Sequence, residues 1–492
     1  MWQKENLQNL IKDKMKDYLF IVVSNREPYV HVRKKGNIEW IRGIGGVTSA
    51  LDPVMQSCDG LWVAYGHGDA DRDVTDSKGK VRVPPDQPSY TLKRVWLTKE
   101  EEQGYYYGYA NEVLWPLCHM AFERPIFRSE DWECYKRVNE KFAQAIIDEI
   151  GDRKAFVWIQ DYHFCLLPKY LKQKAPRQII TAHFWHIPWP CHEAFRICPQ
   201  KKEILEGLLS NDLLGFHIRQ HCNNFLETID REIESKIDRE RVSIIKNDHE
   251  TLIRPYPISV DFTGINEVVN SVAVQEKADA LIQEFELSER QVLVGLDRID
   301  YTKGLPDKLR AIDRLFAKHS ELYGKVVFLQ IGVITRLHIK KYKELNDEIN
   351  ALVEEINWKY AVSHWKPVVF VRRQFSLIEL LALYRISTAA IVSSLHDGMN
   401  LVAKEYISSR SDHKGMLILS QFTGAARELT DAVLINPYDC DEFSEGIFQA
   451  LNLTEDDRNK RMIKMRKIIH ENNIYHWAGK IISELLEFEF RD

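Results

Sequence analysis

The sequence lacks paired cysteines and an excess of charge of one sign, and each absence excludes a class of protein. Its 8 cysteines include no C-x-x-C pair and no metal-like spacing with histidine, so reduced thiols are the simplest account. The 67 Lys and Arg residues are well mixed with the 72 Asp and Glu residues, giving a net charge of −5. This balance leaves no electrostatic footprint for nucleic acid or an anionic membrane.

The chain also lacks a long apolar run. No stretch approaches the length of a membrane span, and residues 1–18 are amphipathic and charged, unlike a signal peptide. We therefore expect a cytoplasmic protein that has neither nucleic-acid nor membrane partners.

Short apolar runs recur along the 492 residues, a length that favours two domains over one core. The runs are apolar throughout and alternate with segments of helical period, a pattern typical of parallel sheets covered on both faces. The sequence thus predicts an α/β protein with two Rossmann-like domains. The first series of runs covers residues 19–26, 155–161, 178–185 and 212–217, and the second covers 291–298, 325–332, 368–373, 389–394, 415–420 and 432–437.

Prolines in segment 253–262 interrupt the pattern and disfavour a continuing helix, so we predict the domain boundary there. The predicted domains are residues 1–257 and 258–472, with 254–262 as a hinge candidate. Residues 473–492 contain apolar side chains at helical spacing. We expect them to form an amphipathic helix that joins the first domain.

The apolar run 389–394 leads directly into "LHDGMNLVAKEY" (395–406). A strand that ends in a glycine turn and then a helix presents unpaired backbone N–H groups where ligands of open α/β sheets bind. This favours an anion, such as a phosphate. The alternative is that Asp397 only caps the helix and Glu405 is solvated.

A second strand-to-helix turn lies in "GLDRIDYTKGLPDKL" (295–309), where Arg298 and Lys303 stand five residues apart. Two fixed cations at a strand end suit a diphosphate whose negative charge grows as it leaves. In the alternative, Arg298 pairs with Asp300 and Lys303 is solvated. Two anion-type turns in one domain weigh against that alternative.

In the first domain, Arg26 ends the first strand, and Gly45 and Gly46 lie in a loop whose backbone could approach a phosphate. The aromatic run 104–119 is either a sugar-stacking surface or a half-buried core loop. Asp161 and His186 end neighbouring strands, where a carboxylate and an imidazole could bind sugar hydroxyls or assist proton transfer.

Together these segments resemble the trehalose-6-phosphate synthase family, whose members are retaining glycosyltransferases of the GT-B fold, with two Rossmann-like domains facing a central cleft. The resemblance runs from Ser24 to Trp477, and "DRIDYTKGLP" and "DGMNLVAKEY" are its most specific motifs. It implies transfer of glucose from UDP-glucose or GDP-glucose to glucose 6-phosphate, giving α,α-trehalose 6-phosphate.

The resemblance places the nucleotide sugar on the second domain. Arg298 and Lys303 would hold the diphosphate, Glu405 the ribose, and Phe375 the region of the base. The remaining implied donor contacts are the amides of Asn400 and Leu401 on the phosphate, Asp397 with Gly398 and Met399 on the glucose hydroxyls, His186 from the first domain, and the mobile loop at Gly45 and Gly46.

The implied acceptor site binds phosphate through Arg26, Tyr106 and Arg336. Trp115 would line the pocket, and Asp161 would lie near the attacking hydroxyl. The chain departs from the family at Tyr65, where the family has Trp, and at His396, where Arg is common. The implied catalytic residues are Arg298, Lys303, Asp161, His186 and Asp397.

No motif supplies a carboxylate nucleophile for a double displacement. The resemblance implies front-face substitution instead, in which the leaving phosphate oxygen takes the acceptor's proton. No motif requires a metal, and we expect neither a metal nor another cofactor.

Three alternatives stay open. The acceptor could be glycerol 3-phosphate, as in glucosylglycerol-phosphate synthases, or a cyclitol, as in pseudo-glycosyltransferases. The sequence "REPY" (26–29) and Tyr65 favour such relatives. Arg336 and "DYH" (161–163) favour a hexose phosphate instead. The third is a silent, sugar-phosphate-sensing regulator, against which the intact residues Arg298, Lys303, Asp397 and Glu405 weigh. We expect a separate phosphatase to act on the product, and homo-oligomers stay open.

Overall fold

The computed structural model describes residues 2–43, 46–334, 336 and 339–490. The chain divides into two compact units. The first contains Met1–Ile258 and Ile474–Asp492, and the second contains Ser259–Asn473. No helix in the described ranges is both long and apolar enough to cross a membrane.

The first unit is built on a mixed sheet whose central strands are parallel. Strands β7 and β8 are buried at every residue, because apolar side chains cover both faces. Among the described residues the sheet has 10 strands in the order β10-β11-β12-β9-β8-β7-β1-β4-β6-β5, and β2 and β3 form a separate hairpin. The strands are β1 Leu19–Arg26, β2 Tyr29–Lys34, β3 Asn37–Arg42, β4 Leu61–Tyr65, β5 Lys80–Val83, β6 Tyr90–Val95, β7 Ala155–Gln160, β8 Ile179–Phe184, β9 Leu213–Phe216, β10 Lys236–Asp238, β11 Ser243–Lys246 and β12 His249–Pro255.

Helices cover this sheet, and a π-helix at Gln103–Leu114 precedes α4. The aromatic run 104–119 is therefore helical, so the predicted alternative of a core loop is wrong. The helices are α1 Lys4–Lys14, α2 Gly46–Met55, α3 Lys99–Glu102, α4 Trp115–His119, α5 Ser129–Ile150, α6 Leu167–Lys174, α7 His192–Phe195, α8 Lys201–Leu208 and α9 Arg219–Glu232.

The second unit contains a wholly parallel sheet, with 6 strands within the described residues, in the order β15-β14-β13-β16-β17-β18. This is the doubly wound order of Rossmann-like folds, in which chain direction across the sheet reverses between the first and fourth strands. The predicted α/β class with parallel sheets is thus confirmed. The strands are β13 Gln291–Arg298, β14 Val326–Val333, β15 Val368–Val371, β16 Ala389–Val392, β17 Met416–Ser420 and β18 Val433–Ile435.

Amphipathic helices flank this sheet. In α12, Leu305, Leu309, Ile312 and Phe316 lie on one face and are buried, as the helical period requires. The helices are α10 Phe262–Val269, α11 Val272–Glu284, α12 Leu305–Lys318, α13 Lys340–Tyr360, α14 Leu377–Ile386, α15 Leu401–Ser409, α16 Cys440–Asn452 and α17 Glu455–Glu471.

The last helix, α18 (Ile474–Leu485), belongs to the first unit. The indole of Trp477 lies 4.9 Å from that of Trp158 and donates a hydrogen bond to the carbonyl of Tyr256 at 3.2 Å. Glu484 accepts a hydrogen bond from Arg254 at 2.6 Å. An apolar face and one ion pair therefore fix this helix on the sheet of the first unit.

Candidate active site

The strand order of the second unit brings its two predicted anion-binding turns together. Strands β13 and β16 are neighbours, and the sheet reverses direction between them. Arg298 is the last residue of β13, and Asp397 follows the end of β16. Ligands of open α/β sheets bind at this switch point, outside the carboxyl ends of the strands.

Lys303 and Asp397 form an ion pair across these two turns. Lys303 Nζ lies 2.5 Å from Asp397 Oδ2, and both side chains are 14% exposed. The same oxygen accepts hydrogen bonds from Ser394 Oγ at 3.1 Å and Asn400 Nδ2 at 3.2 Å. The alternative of a merely solvated Lys303 is therefore wrong. The ammonium group has three N–H donors, so two remain for a ligand.

The turn after β16 is held by backbone contacts and by Asn400. Asn400 adopts a positive φ of 83°, and its side chain accepts a hydrogen bond from Ala403 N at 3.0 Å. Asn400 therefore caps α15, and the alternative that Asp397 is the cap is wrong. Ala425 N donates to Met399 O at 2.9 Å, which fixes the turn against the next loop.

The carboxylate of Asp300 interacts with several positively charged side chains. Its side chain is fully buried and accepts hydrogen bonds from Arg336 at 3.4 Å and from the hydroxyl of Tyr342 at 3.3 Å. Burial acts to raise the pKa of Asp300, but the charges of Arg336, Arg298 and Lys303 outweigh burial and lower that pKa. Three cations thus act on one buried carboxylate.

Glu405 stands in the first turns of α15 with no hydrogen bond inside the described part of the chain. It is half-buried, and its apolar surroundings raise the pKa of its carboxyl group to about 7. The alternative of a solvated Glu405 is therefore wrong. Its neighbour Lys404 pairs with Glu428 instead, at 2.6 Å. An unpaired carboxylate of this kind can accept hydrogen bonds from two adjacent hydroxyl groups.

Other predicted donor residues lie near chain turns. Phe375 is buried just before α14, with the guanidinium of Arg373 4.1 Å from the centre of its ring. Gly398 and Leu401 belong to the Asp397 turn and the start of α15. Gly46 begins α2 in the first unit, whereas Gly45 lies outside the described residues.

The first unit has its own switch point, between β1 and β7. Arg26 ends β1, and its guanidinium donates a hydrogen bond to the hydroxyl of Tyr106 at 2.9 Å. Tyr106 lies on the π-helix, where its ring stacks on His163 at 5.8 Å. A guanidinium beside a phenol hydroxyl offers convergent donors to a phosphate.

Asp161 follows β7 in a strained backbone conformation, with a φ of 72°. Its N–H donates to Phe184 O at 2.7 Å, and its carbonyl accepts from His183 Nε2 at 2.9 Å. The backbone N–H of His186 donates to Asp161 Oδ1 at 3.2 Å. These contacts fix the carboxylate at the end of the strand.

His186 is a neutral imidazole, because burial lowers its pKa well below the usual value. Its Nε2 lies 2.8 Å from Gln160 Oε1, and the amide nitrogen of Gln160 donates to Trp158 O at 3.5 Å. This arrangement places the proton on Nε2. Nδ1 of His186 can then accept a hydrogen bond from a hydroxyl group.

Trp115 and Tyr65 occupy two further predicted acceptor positions. Trp115 begins α4, with its ring 5.8 Å from that of Tyr162. Tyr65 ends β4, and burial together with the neighbouring Glu102 carboxylate raises its pKa. Tyr65 is therefore a neutral phenol at physiological pH.

Three alternating carboxylates, Asp69, Asp71 and Asp73, stand in Asp-x-Asp spacing, a pattern that was not part of the predicted site. Arg33 contacts Asp69 through its backbone N–H at 2.8 Å and Asp73 through its guanidinium at 2.6 Å. Asp71 contacts the buried Arg94 at 2.8 Å. Within the described ranges, no cluster of three His, Cys, Asp or Glu side chains could hold a metal ion.

A family model matches most of the chain. The model described as Glycosyltransferase family 20 matches residues 18–487. The matched range therefore includes the strands at both switch points and helix α18.

Curated relatives match along nearly the whole chain. A trehalose-6-phosphate synthase of Mycobacterium ulcerans is 36% identical over 479 residues, covering 95% of this chain and 94% of the relative. The UDP-forming α,α-trehalose-phosphate synthase A of Dictyostelium discoideum is 35% identical over 483 residues, or 98% of this chain. The chain spans 64% of the length of that relative.

Solved structures agree with the fold. A trehalose-6-phosphate protein from E. coli, bound with UDP-2-fluoro glucose, superposes with a TM-score of 0.85 at 28% identity, covering 96% of this chain and all of the other. A UDP-forming α,α-trehalose-phosphate synthase from Burkholderia xenovorans, in complex with glucose 6-phosphate, gives a TM-score of 0.85 at 28% identity, with 95% and 99% coverage.

Proposed function

The chain belongs to glycosyltransferase family 20, and from this premise we propose that it is an α,α-trehalose-phosphate synthase. It transfers glucose, with retention of configuration, from a nucleoside-diphosphate glucose to glucose 6-phosphate. The products are α,α-trehalose 6-phosphate and the nucleoside diphosphate.

The observation that carries this proposal is the meeting of two turns at the switch point of the second unit. Lys303 and Asp397 pair at 2.5 Å, and Glu405, on the helix that follows, has no ion-pair partner among the residues that the structure describes. Cations at the end of β13 suit a diphosphate, whereas a carboxylate without a partner suits the hydroxyl pair of a ribose. These groups together match the polar parts of a nucleotide sugar.

The first unit offers donors for an acceptor phosphate and a fixed carboxylate for a hydroxyl. Arg26 and Tyr106 converge at 2.9 Å, and Asp161 is held by His186 N. Arg336, implied by the resemblance to bind the same phosphate, lies in the second unit beside Asp300. That role is part of the proposal.

In the proposed mechanism the carbon–oxygen bond to the diphosphate breaks as the acceptor hydroxyl attacks from the same face. The departing phosphate oxygen takes the acceptor's proton, while Arg298 and Lys303 stabilise the negative charge that develops on it. Asp397 orients Lys303 and accepts hydrogen bonds from the glucose. His186 accepts a hydrogen bond from a donor hydroxyl through Nδ1.

The test is release of nucleoside diphosphate by the purified chain. UDP-glucose and GDP-glucose are each paired with glucose 6-phosphate, with glycerol 3-phosphate and with no acceptor. We expect release that depends on glucose 6-phosphate, and an α,α-linked product by NMR. The resemblance implies Trp where this chain has Tyr65, so turnover with glycerol 3-phosphate alone would reassign the acceptor. Silence with every pair would favour a regulator.

Glu405 makes donor binding depend on pH. Its carboxylate is the form that accepts ribose hydrogen bonds, so protonation below a pKa of about 7 removes acceptor capacity. We expect the KM for the donor to rise about tenfold as pH falls from about 8 to about 6, because one proton then blocks the site. Initial rates at saturating acceptor measure this change.

The variant Glu405→Gln should raise the donor KM at every pH and abolish its dependence on pH. Glu471→Gln, at an exposed position on α17, is the matched control and should keep the wild-type profile. A wild-type profile in Glu405→Gln would contradict the assigned role.

Several expectations stay predictions within this proposal. They are a separate phosphatase that acts on the product, homo-oligomers, a cytoplasmic location and activity without a metal. All 8 cysteines are free thiols.

A further inference from the structure

A buried network of charged side chains includes Glu27, the residue that follows Arg26. Arg94 is 1% exposed, and its guanidinium contacts Glu27 Oε2 at 2.7 Å and Asp71 Oδ1 at 2.8 Å. It also donates to Tyr29 O at 3.0 Å. Two buried carboxylates face one guanidinium, so the network carries one negative charge in excess when both are ionised, a form of Glu27 that burial disfavours by raising its pKa. Buried charges are costly unless they are paired.

His67 supplies the missing positive charge. Its Nδ1 lies 3.2 Å from Glu27 Oε1, and its backbone N–H donates to the same oxygen at 3.2 Å. Burial disfavours the imidazolium form, but the carboxylates of Glu27 and Asp71 outweigh burial and the opposing charge of Arg26, and the pKa of His67 is raised. The network is thus neutral when His67 is protonated.

His31 completes the inner part of the network. Its Nδ1 lies 2.8 Å from the guanidinium of Arg94 and 3.5 Å from Asp71 Oδ1. Its backbone N–H donates to Asp71 Oδ1 at 2.8 Å.

His67 is the part of this network that reaches solvent. Its side chain is 42% exposed, whereas that of Glu27 is fully buried. The ring lies 5.9 Å from the ring of Tyr65, and Arg26 is near enough for its charge to act on the imidazole. In the described part of the chain, Nε2 of His67 makes no hydrogen bond.

We propose that His67 binds the phosphate of the acceptor, with Nδ1 held by Glu27 and the N–H of Nε2 donated to a phosphate oxygen. This inference rests on the proposed function, because it deepens the acceptor site of Arg26 and Tyr106. The ligand is a phosphate monoester, which carries three acceptor oxygens and close to two negative charges at neutral pH.

The two ring nitrogens can be tested separately. An Asn side chain places its amide nitrogen near the position of Nδ1, so His67→Asn keeps the contact with Glu27 and removes the outer donor. A Gln side chain reaches the position of Nε2, so His67→Gln keeps a neutral outer donor. The exposed His364, in the other unit, gives the control His364→Gln.

The experiment is calorimetric titration of the full chain with glucose 6-phosphate and with glycerol 3-phosphate, without a donor. We expect His67→Asn to weaken both ligands by the same factor, about tenfold, as for loss of one charge-assisted hydrogen bond. His67→Gln should lose less, and His364→Gln should match the wild type. Thermal melting verifies that each variant is folded.

The pH dependence adds a second readout. Above neutral pH the phosphate is a dianion, and His67, whose pKa its carboxylate neighbours raise, loses its proton as the pH rises further. Glu27, whose pKa burial raises, is present in the wild type and in His67→Gln alike, and Tyr65 stays neutral. Wild-type affinity for both ligands should therefore fall as the pH is raised through the pKa of His67, and the affinity of His67→Gln should fall less over the same series of pH values.

Equal affinities of the wild type and His67→Asn would overturn the inference. A loss of affinity confined to glucose 6-phosphate would also overturn it, because His67 would then contact the sugar ring. If the wild type binds sugar phosphates but transfers no glucose to them, the proposed function fails, and the binding ratios still decide the role of His67. If the wild type binds neither ligand, both proposals fail.

Discussion

Replacing Lys303 with Ala lowers the turnover number of the proposed glucosyl transfer by about 100-fold or more. Lys303 ends the 3-10 helix Tyr301–Lys303 that follows β13, where the proposed mechanism places the departing diphosphate. Loss of one such preorganised donor costs about 3 kcal/mol of transition-state stabilisation. Release of nucleoside diphosphate at saturating concentrations of both substrates measures the effect, and circular dichroism verifies the fold.

A double variant at Lys303 and Asp397 can distinguish a direct role of Lys303 in catalysis from a role in holding Asp397. If Lys303 acts only by holding Asp397, then Lys303→Ala should have no further effect in an Asp397→Asn background. We expect the double variant to be slower than Asp397→Asn alone, because Lys303 has two further donors for the diphosphate. Lys460→Ala, at an exposed ion pair on α17, is the matched control. Near wild-type turnover in Lys303→Ala would contradict the assignment.

The strands nearest the site could be predicted from the sequence almost to the residue. The apolar runs 19–26 and 291–298 coincide with β1 and β13, because buried parallel strands are apolar on both faces and end at polar residues. Strands β10, β11 and β12, at one end of the sheet, were not predicted. β10, β11 and β12 are joined by antiparallel pairing, β12 also pairs in parallel with β9, and the mixed polar and apolar residues of the three strands give no comparable signal.

The π-helix at Gln103–Leu114 was missed because aromatic density was taken as a sugar-stacking surface or a loop. Gly104 and Gly108 lie one helical turn apart, and both face α5. A Cβ atom at Gly108 would overlap the carboxylate of Asp131, so the two helices approach closely only through glycine. The spacing of these two glycines was the available signal for helix packing.

The motifs predicted which residues belong to the candidate site but not which of their side chains contact each other. Lys303 and Asp397 are 94 residues apart, and only the placement of β16 beside β13 brings them to 2.5 Å. The contact between His67 and Glu27 likewise depends on β4 lying beside β1. Strand order is a tertiary property, so local patterns could predict each turn and not its partner.

Replacing Gly424 with Ala should abolish high-affinity donor binding, although Gly424 is not itself implied to touch the donor. It begins a 3-10 helix at Gly424–Arg427, beside the turn that holds Asp397 and Met399. A Cβ atom there would overlap the carbonyl oxygen of Gly398 and lie 3.1 Å from the Cα of Met399. Both are backbone atoms, so no side-chain rotation relieves the overlap.

The turn must therefore move, and with it the hydrogen bonds from Gly424 N to Asp397 O at 3.1 Å and from Ala425 N to Met399 O at 2.9 Å. Overpacking costs about 1–3 kcal/mol of stability, and each charge-assisted hydrogen bond that the displaced turn loses to the donor is worth about 1.5–3 kcal/mol. We expect the affinity for the nucleotide sugar, measured by calorimetry, to fall by about 10- to 100-fold.

Gly324→Ala is the matched control for this change, because it lies in the same unit and a Cβ atom there meets no other atom within 4 Å. Its positive φ of 72° costs only about 1–2 kcal/mol of stability in an Ala variant, so donor affinity should match the wild type although the melting temperature falls. Comparing the two variants separates loss of stability from loss of the turn. If Gly424→Ala binds donor as tightly as Gly324→Ala, the turn at Asp397 is not what positions the donor.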